Sequence, residues 1–395
     1  MSVGMPPAAA GVVLPALTAD PGRPFGLYIH VPFCATRCGY CDFNTYTAAE
    51  LGDSSPQGWL SAVQTELELA ARHLGDVGAV STVFVGGGTP SLLGAAGLTR
   101  VLDAVRAQFG LAADVEVTTE ANPESTSAQF FSALRRGGYT RVSLGMQSSA
   151  SHVLRALDRV HSPGRAIEAA LEARRAGFEH VNLDLIYGTP GESDDDLRRS
   201  LDAVLTTGAD HVSAYALIVE DGTALARRVR RGELPAPDDD VLARRYELVD
   251  RHLGEAGFSW YEVSNWSRPG GECRHNLGYW NGGLWWGAGP GAHGYVAATR
   301  WWNVKHPATY AAVLAAGRLP VADFEVLDCD TIHVEDVMLR LRLRSGLPLA
   351  VLSDRERRRA ATAIDDGLLR AEGAAVVLTD RGRLLADAVV RSLLD

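Results

Sequence analysis

The sequence is poor in the features that mark secreted, membrane or nucleic-acid-binding chains. It holds five cysteines in 395 residues, three of them within eight positions. That is not the disulfide framework of a small secreted domain, and it points to a reducing, cytosolic compartment and a metal site. No apolar run approaches the ~20 residues needed to cross a bilayer. Basic residues are outnumbered, with 38 Lys plus Arg against 48 Asp plus Glu and a formal net charge of −10. Without a positive field a general nucleic-acid binder is disfavoured. Residues 1–24 carry no Lys or Arg before Arg23, and Pro6, Pro7 and Pro15 interrupt their apolar stretch. A signal peptide wants a basic start and an unbroken apolar core, so the Ala/Gly/Pro mixture predicts a disordered tail instead. What is present is 46% hydrophobic and 22% charged residues, the balance of a soluble globular protein. At ~150 residues per domain, the length allows two or three domains.

Short β-like runs recur at 25–31, 81–85, 115–120, 141–146, 180–186 and 211–217. Between them, 58–73, 97–109, 127–136, 149–160, 165–176 and 194–207 repeat apolar residues every three or four positions, the helical period. Six strand–helix units in series predict parallel strands in an α/β barrel or a doubly wound sheet. Polar or glycine-rich elements follow several strands: a cysteine loop, Gly86-Gly87-Gly88-Thr89-Pro90, Glu120-Ala121-Asn122-Pro123, Gln147-Ser148 and Asp184 with Tyr187-Gly188. In parallel α/β folds the carboxyl ends of the strands carry the site, so these elements predict one shared pocket. After about residue 220 the rhythm stops. The segment 221–240, with its Arg cluster and three consecutive aspartates at 238–240, reads as a solvated connection ahead of a helix over 241–254. Residues 260–303 are rich in Trp, Tyr, Gly, Asn and His. Near the end, Val376 to Thr379 followed by Arg381-Gly382 resembles the wing and final helix of a winged-helix module. The expected division is a tail over 1–24, a core over 25–220, a linker and aromatic segment over 221–310, and an α+β, winged-helix-like domain over 311–395.

Cys34, Cys38 and Cys41 form C-x3-C-x2-C. Clustered thiolates bind zinc or iron–sulfur clusters. A structural zinc site wants four ligands, and no fourth Cys or His follows at finger spacing. Three cysteines on one loop suit a four-iron cluster with one iron left open. This spacing, with an aromatic just before the last Cys and GGGTP downstream, resembles the radical S-adenosylmethionine (SAM) superfamily. The resemblance implies a partial (β/α)6 barrel and a [4Fe–4S] cluster whose fourth iron is chelated by SAM. Tyr28-Ile29-His30-Val31-Pro32-Phe33-Cys34, GGGTP at 86–90, Gln147, Asp184-Leu185-Ile186-Tyr187-Gly188 and His275-Asn276-x-x-Tyr279-Trp280 are similar to the group that joins coproporphyrinogen III dehydrogenases with the HemW haem chaperones.

Roles follow residue by residue. Gly87, Gly88 and Thr89 would let backbone meet the amino-acid end of SAM, or form a plain strand-ending turn. On the SAM reading, Gly87→Val weakens SAM binding and spares the cluster. Glu120, Gln147 and Asp184 resemble positions that contact SAM or a second ligand. Asp184, between two leucines, would be costly to bury without partners. Arg159 resembles an arginine that meets a carboxylate, and Tyr28 and Tyr40 flank the loop as SAM contacts or cluster shields. Where dehydrogenases carry a further cysteine two residues after the third, this chain has Phe43, and few residues precede its motif. Both departures point to the haem chaperones, which bind haem and pass it to haem proteins; no residue is assigned classical turnover. The resemblance implies respiratory cytochromes or bacterioferritin as acceptors and flavodoxin or ferredoxin as electron donor. His275, Cys273 and His293 are the candidate haem-iron ligands, and Trp285, Trp286, Trp301 and Trp302 a candidate porphyrin wall or core. Cys329 is expected to do no more than pack.

Overall fold

The computed structural model describes residues 12–18, 22–52, 54–159, 162 and 164–395. Its centre is six parallel strands in sequential order: β1 (Phe25–Val31), β2 (Val80–Gly87), β3 (Leu111–Ala121), β4 (Arg141–Gln147), β5 (His180–Tyr187) and β6 (His211–Ala216). Along β1 the side chains divide by alternation. Leu27, Ile29 and Val31 are fully buried in the core, while Tyr28 lines an interior cavity. The outer layer is made by helices such as Pro56–Leu74. Ser55 caps its start by accepting from the Gly58 N–H, a proline occupies its first turn, and Trp59, Leu60, Val63, Leu67, Ala70 and Leu74 form its buried stripe. Gly75, at φ 65°, ends it.

The sheet does not close. Beyond β6 it continues antiparallel through two short strands, β7 (Ser259–Glu262) and β8 (Asn265–Ser267), in the order β6-β8-β7. At the other edge β9 (Leu284–Ala288) adds parallel to β1, and β10 (His293–Val296), β11 (Thr299–Asn303) and β12 (Val321–Val326) follow antiparallel. The result is an open, partial barrel of twelve strands.

A second core lies after β12. Helices Cys329–Arg340, Asp354–Asp365 and Ala386–Leu394 enclose a small sheet of β13 (Leu347–Pro348), β14 (Leu369–Glu372) and β15 (Ala375–Leu378), around Val337, Leu341, Leu352, Leu378 and Val389. Because β12 pairs with β11, the first core reaches past residue 311 to about 326. The segment 221–240 is not wholly solvated. It holds helix Ala224–Arg230, with Leu225 and Ala226 buried. Most of the tail expected over 1–24 falls outside the described residues. Within it, Leu14 and Leu17 are buried in the first core, so residues 12–18 do not behave as a free tail. Cys329 is exposed rather than packed.

Candidate functional site

The chain leaving β1 crosses the carboxyl ends of the strands as the cysteine loop. Backbone bonds fix it: Cys34 N–H to the Tyr46 carbonyl at 3.0 Å, Gly39 N–H to Leu157 at 3.0 Å, and Leu225 N–H to Gly39 at 2.8 Å. Cys34, Cys38 and Cys41 are free and partly buried. The Thr89 hydroxyl donates to Cys34 Sγ at 3.8 Å, and the Arg159 guanidinium to Cys38 Sγ at 3.6 Å. Burial pushes the Cys34 and Cys41 thiols up, and the neighbouring sulfurs of the loop act in the same direction. A cationic cluster would relieve such an arrangement. Among the described residues no three His, Cys, Asp or Glu side chains converge as ligands of one metal ion.

The structure brings the strand-end residues together around this loop. Gly87 N–H donates to Glu120 Oε2 at 2.9 Å, Gly88 N–H to the Val31 carbonyl and Thr89 N–H to the Phe33 carbonyl, each at 2.7 Å. The glycines are required by the protein itself. Gly87 has φ +112°, and a Cβ there would lie 2.6 Å from the His30 ring. At Gly88 it would lie 2.5 Å from the Phe33 carbonyl. Against the expectation that Gly87→Val spares the cluster stands the crowding at this position, because the first atoms a Cβ meets belong to the strand that delivers the cysteine loop. Gln147 is buried with φ 64°, a strained setting for a non-glycine residue, at an irregularity between β4 and β5.

Asp184 has the partners its burial demands. Ser143 Oγ donates to it at 3.0 Å and Asn182 Nδ2 at 2.7 Å. Burial still raises its carboxyl, against the hydrogen bonds of Ser143, Ser213 and Asn182. Glu120 is pushed up to about 8, by burial first and by the Asp184 charge second, with the Gly87 N–H opposing. Arg159 reaches the Gly145 carbonyl at 3.0 Å as well as Cys38, and among the described residues its buried Nε has no partner. A free guanidinium donor beside the cysteine loop suits a ligand carboxylate. Tyr28 donates or accepts at His30 Nδ1 across 3.0 Å, and Tyr40 packs beside Ala150, Val153 and Leu157 within the field of Cys38 and Arg159. The polar ring of Ser143, Asn182 and Ser213 was not singled out by sequence reasoning. Its signal was there, as polar residues on otherwise apolar buried strands.

Between the strands lies a cavity of about 150 Å³, lined from the segment 273–280 by Cys273, His275, Asn276 and Tyr279. His275 is buried there. Its Nδ1 is 2.8 Å from Thr82 Oγ1, its Nε2 is 2.8 Å from the Tyr279 hydroxyl, and its backbone N–H donates to Glu116 at 3.0 Å. Both ring nitrogens are occupied, at the amino-terminal end of the strands, so His275 is not presented to haem iron. Burial pushes its imidazole down to about 3. Cys273 is buried too and donates to Glu116 at 3.5 Å. Trp286 and Trp301 are core, fully buried with ring centroids 4.7 Å apart, whereas Trp285 and Trp302 keep part of their surface. His293 is exposed.

The model of the radical SAM superfamily matches residues 28–204. Over 98% of both chains the sequence is 69% identical to the heme chaperone HemW of Mycobacterium tuberculosis. Identity to heme chaperone HemW of Bacillus subtilis is 32%, over 93% of this chain and 98% of that one. The structure of coproporphyrinogen III oxidase (HemN) from Escherichia coli, described as a radical SAM enzyme, superposes with a TM-score of 0.80. It covers 95% of this chain and 91% of its own at 23% identity, which speaks for the fold alone. Identity of this extent, across a radical SAM core and everything that follows it, means that the chain belongs to the HemW family of the radical SAM superfamily.

Proposed function

We propose that this protein is a haem chaperone of the cytoplasm, which binds haem and passes it to haem-protein acceptors. The observation that carries the reading is its near-full-length similarity to proteins of that name. In this reading Cys34, Cys38 and Cys41 hold a [4Fe–4S] cluster, and Glu120, Gln147, Arg159 and Asp184 surround SAM. Cluster and SAM together supply one-electron chemistry when bound. The chain's own residues shield the thiolates, and the free Arg159 donor pairs the SAM carboxylate. Acceptors of the cytochrome or bacterioferritin class and a flavodoxin- or ferredoxin-like donor complete the proposal.

The residue at the position of the dehydrogenases' extra cysteine favours carriage over decarboxylation of a tetrapyrrole. Phe43, at the position of the dehydrogenases' extra cysteine, is 59% exposed and offers no thiol. Anaerobic reconstitution followed by haem titration and a coproporphyrinogen III assay on one sample tests the reading. Saturable haem binding without decarboxylation is expected. SAM-dependent release of carbon dioxide would replace it with the dehydrogenase.

A further inference from the structure

A haem site needs an imidazole or thiolate with a free lone pair, a flat apolar surface, and cations for the propionates. Of eleven histidines in the sequence, ten are described. Nine of those spend at least one ring nitrogen on a hydrogen bond or ion pair, and three of the nine, His30, His211 and His275, spend both. His30 bonds Tyr28 and Asn44, and His211 bonds Asn182 and Tyr261. His275 bonds Thr82 and Tyr279, whereas His306 spends Nδ1 alone, capping the helix Pro307–Ala315. His73, His152, His180, His252 and His333 each hold a carbonyl or carboxylate. Among the described histidines His293 is the one with both ring nitrogens unspent, and a flat apolar ring and a cation lie beside it. Among the described residues its exposed ring makes neither bond, and it stands 6.0 Å from the Trp302 ring, centroid to centroid. Lys305, the one lysine of the sequence, lies within its field, is exposed, and makes no ion pair among the described residues.

This imidazole is tied to the cysteine loop. The turn 289–292 that presents it is pressed onto β1 and that loop by glycines. A Cβ on Gly289 would collide with the His30 carbonyl, and one on Gly291 would lie 2.7 Å from Asn44 Nδ2. Asn44, three residues after Cys41, donates to the carbonyls of Pro290 and Lys305, each at 2.9 Å. Tyr46 adds a bond to Lys305 at 3.2 Å. The loop that carries the thiols thus sets the position of both His293 and Lys305.

We propose that His293 ligates the haem iron, with Trp302 against the macrocycle and Lys305 on a propionate, while His275 serves only the cavity lining. The proposal rests on the haem-chaperone reading and names the site within it. Haem titration of the full-length, reconstituted protein tests it by absorbance. In His293→Ala the haem band should shift and affinity should fall roughly tenfold, a loss of one ligand bond net of solvent. Free imidazole should restore the wild-type band, which a merely structural role would not allow. Lys305→Ala should weaken binding without moving the band. An unchanged spectrum in His293→Ala overturns the assignment, as does a changed spectrum that imidazole fails to restore. If the wild-type protein binds no haem at all, the chaperone reading itself falls.

Discussion

Gly87 shows how one residue can be legible in its place while its packing is not. Its sequence context put it at a strand end beside the thiolates, and it is there. Its reason for being glycine lies in φ +112° and in the His30 ring and Val31 carbonyl that crowd it, 2.6 and 3.0 Å from a Cβ. Gly87→Val should therefore lose the cluster and SAM together, because the added methyls push on β1 where it turns into the cysteine loop. Cys38→Ser removes one ligand and leaves that backbone alone, so it should lose cluster absorbance while the far-ultraviolet spectrum and thermal midpoint of the unreconstituted protein stay put. Reconstitution of both variants, followed by absorbance near the cluster band and circular dichroism, separates the two cases. Retention of a full cluster in Gly87→Val would show that the strand end can yield.

At the level of elements, β1–β6 were legible because each is a short, mostly apolar run with a helix between it and the next strand. β1 runs from Phe25 to Val31, as the pattern predicts. The extension β9–β12 was not legible. Its strands are rich in Gly and Trp, and its key pairing joins Phe25–Ile29 to Leu284–Ala288, some 260 residues away by the difference of those numbers. The aromatic segment 273–280 read as a ligand motif for the same reason. Its partners Thr82 and Glu116 are distant in sequence, and only the fold shows it to line the cavity. What holds the extension is Glu66 on the first helix, which accepts from Trp286 Nε1, Gly289 N–H, Asn303 Nδ2 and the Tyr310 hydroxyl. Burial pushes this carboxyl up to about 7 even against those four donors. The folded state thus binds more protons than the unfolded chain between the ordinary carboxyl value of ~4.3 and about 7, so on this group's account stability declines as pH rises through that window. Glu66→Ala should remove that slope. It should also cost at least about 3 kcal/mol, since several buried donors lose their acceptor. Urea unfolding at pH 5 and pH 8 measures both, and a variant as stable as the parent would remove Glu66 as the pin.

Over the whole molecule, the second core is riveted to the barrel at the edge opposite β12. Arg383 is the rivet. Its guanidinium donates to both oxygens of Asp250, at 3.0 and 2.5 Å, and lies 4.7 Å from the Trp260 ring centroid. Trp266 Nε1 donates to the same carboxylate at 2.8 Å. The Arg383 side chain is 2% exposed and Asp250 27%, so this is a bidentate pair largely out of water. Pairing of that kind is costly to break from one side, because the remaining charge stays buried. Arg383→Met keeps the length and apolar stem yet strands Asp250. It should cost about 3 kcal/mol, towards the lower end for buried pairs given the carboxylate's partial exposure. It should also expose the junction before helix Cys329–Arg340 to protease. The pH signature separates a lost pair from lost packing. Burial works to raise the Asp250 carboxyl, but the bonds from Arg383 and Trp266 win and hold it below its ordinary value. Its contribution is then full above the unfolded value of ~3.9 and is lost as pH falls through the lower, folded value. The gap in stability between wild type and Arg383→Met should therefore be widest near neutrality and narrow as pH falls below about 4. A gap that stays constant down to the acid transition would mean that Arg383 acts through its contacts with Trp260 and Tyr246, and that charge does not hold the two cores together.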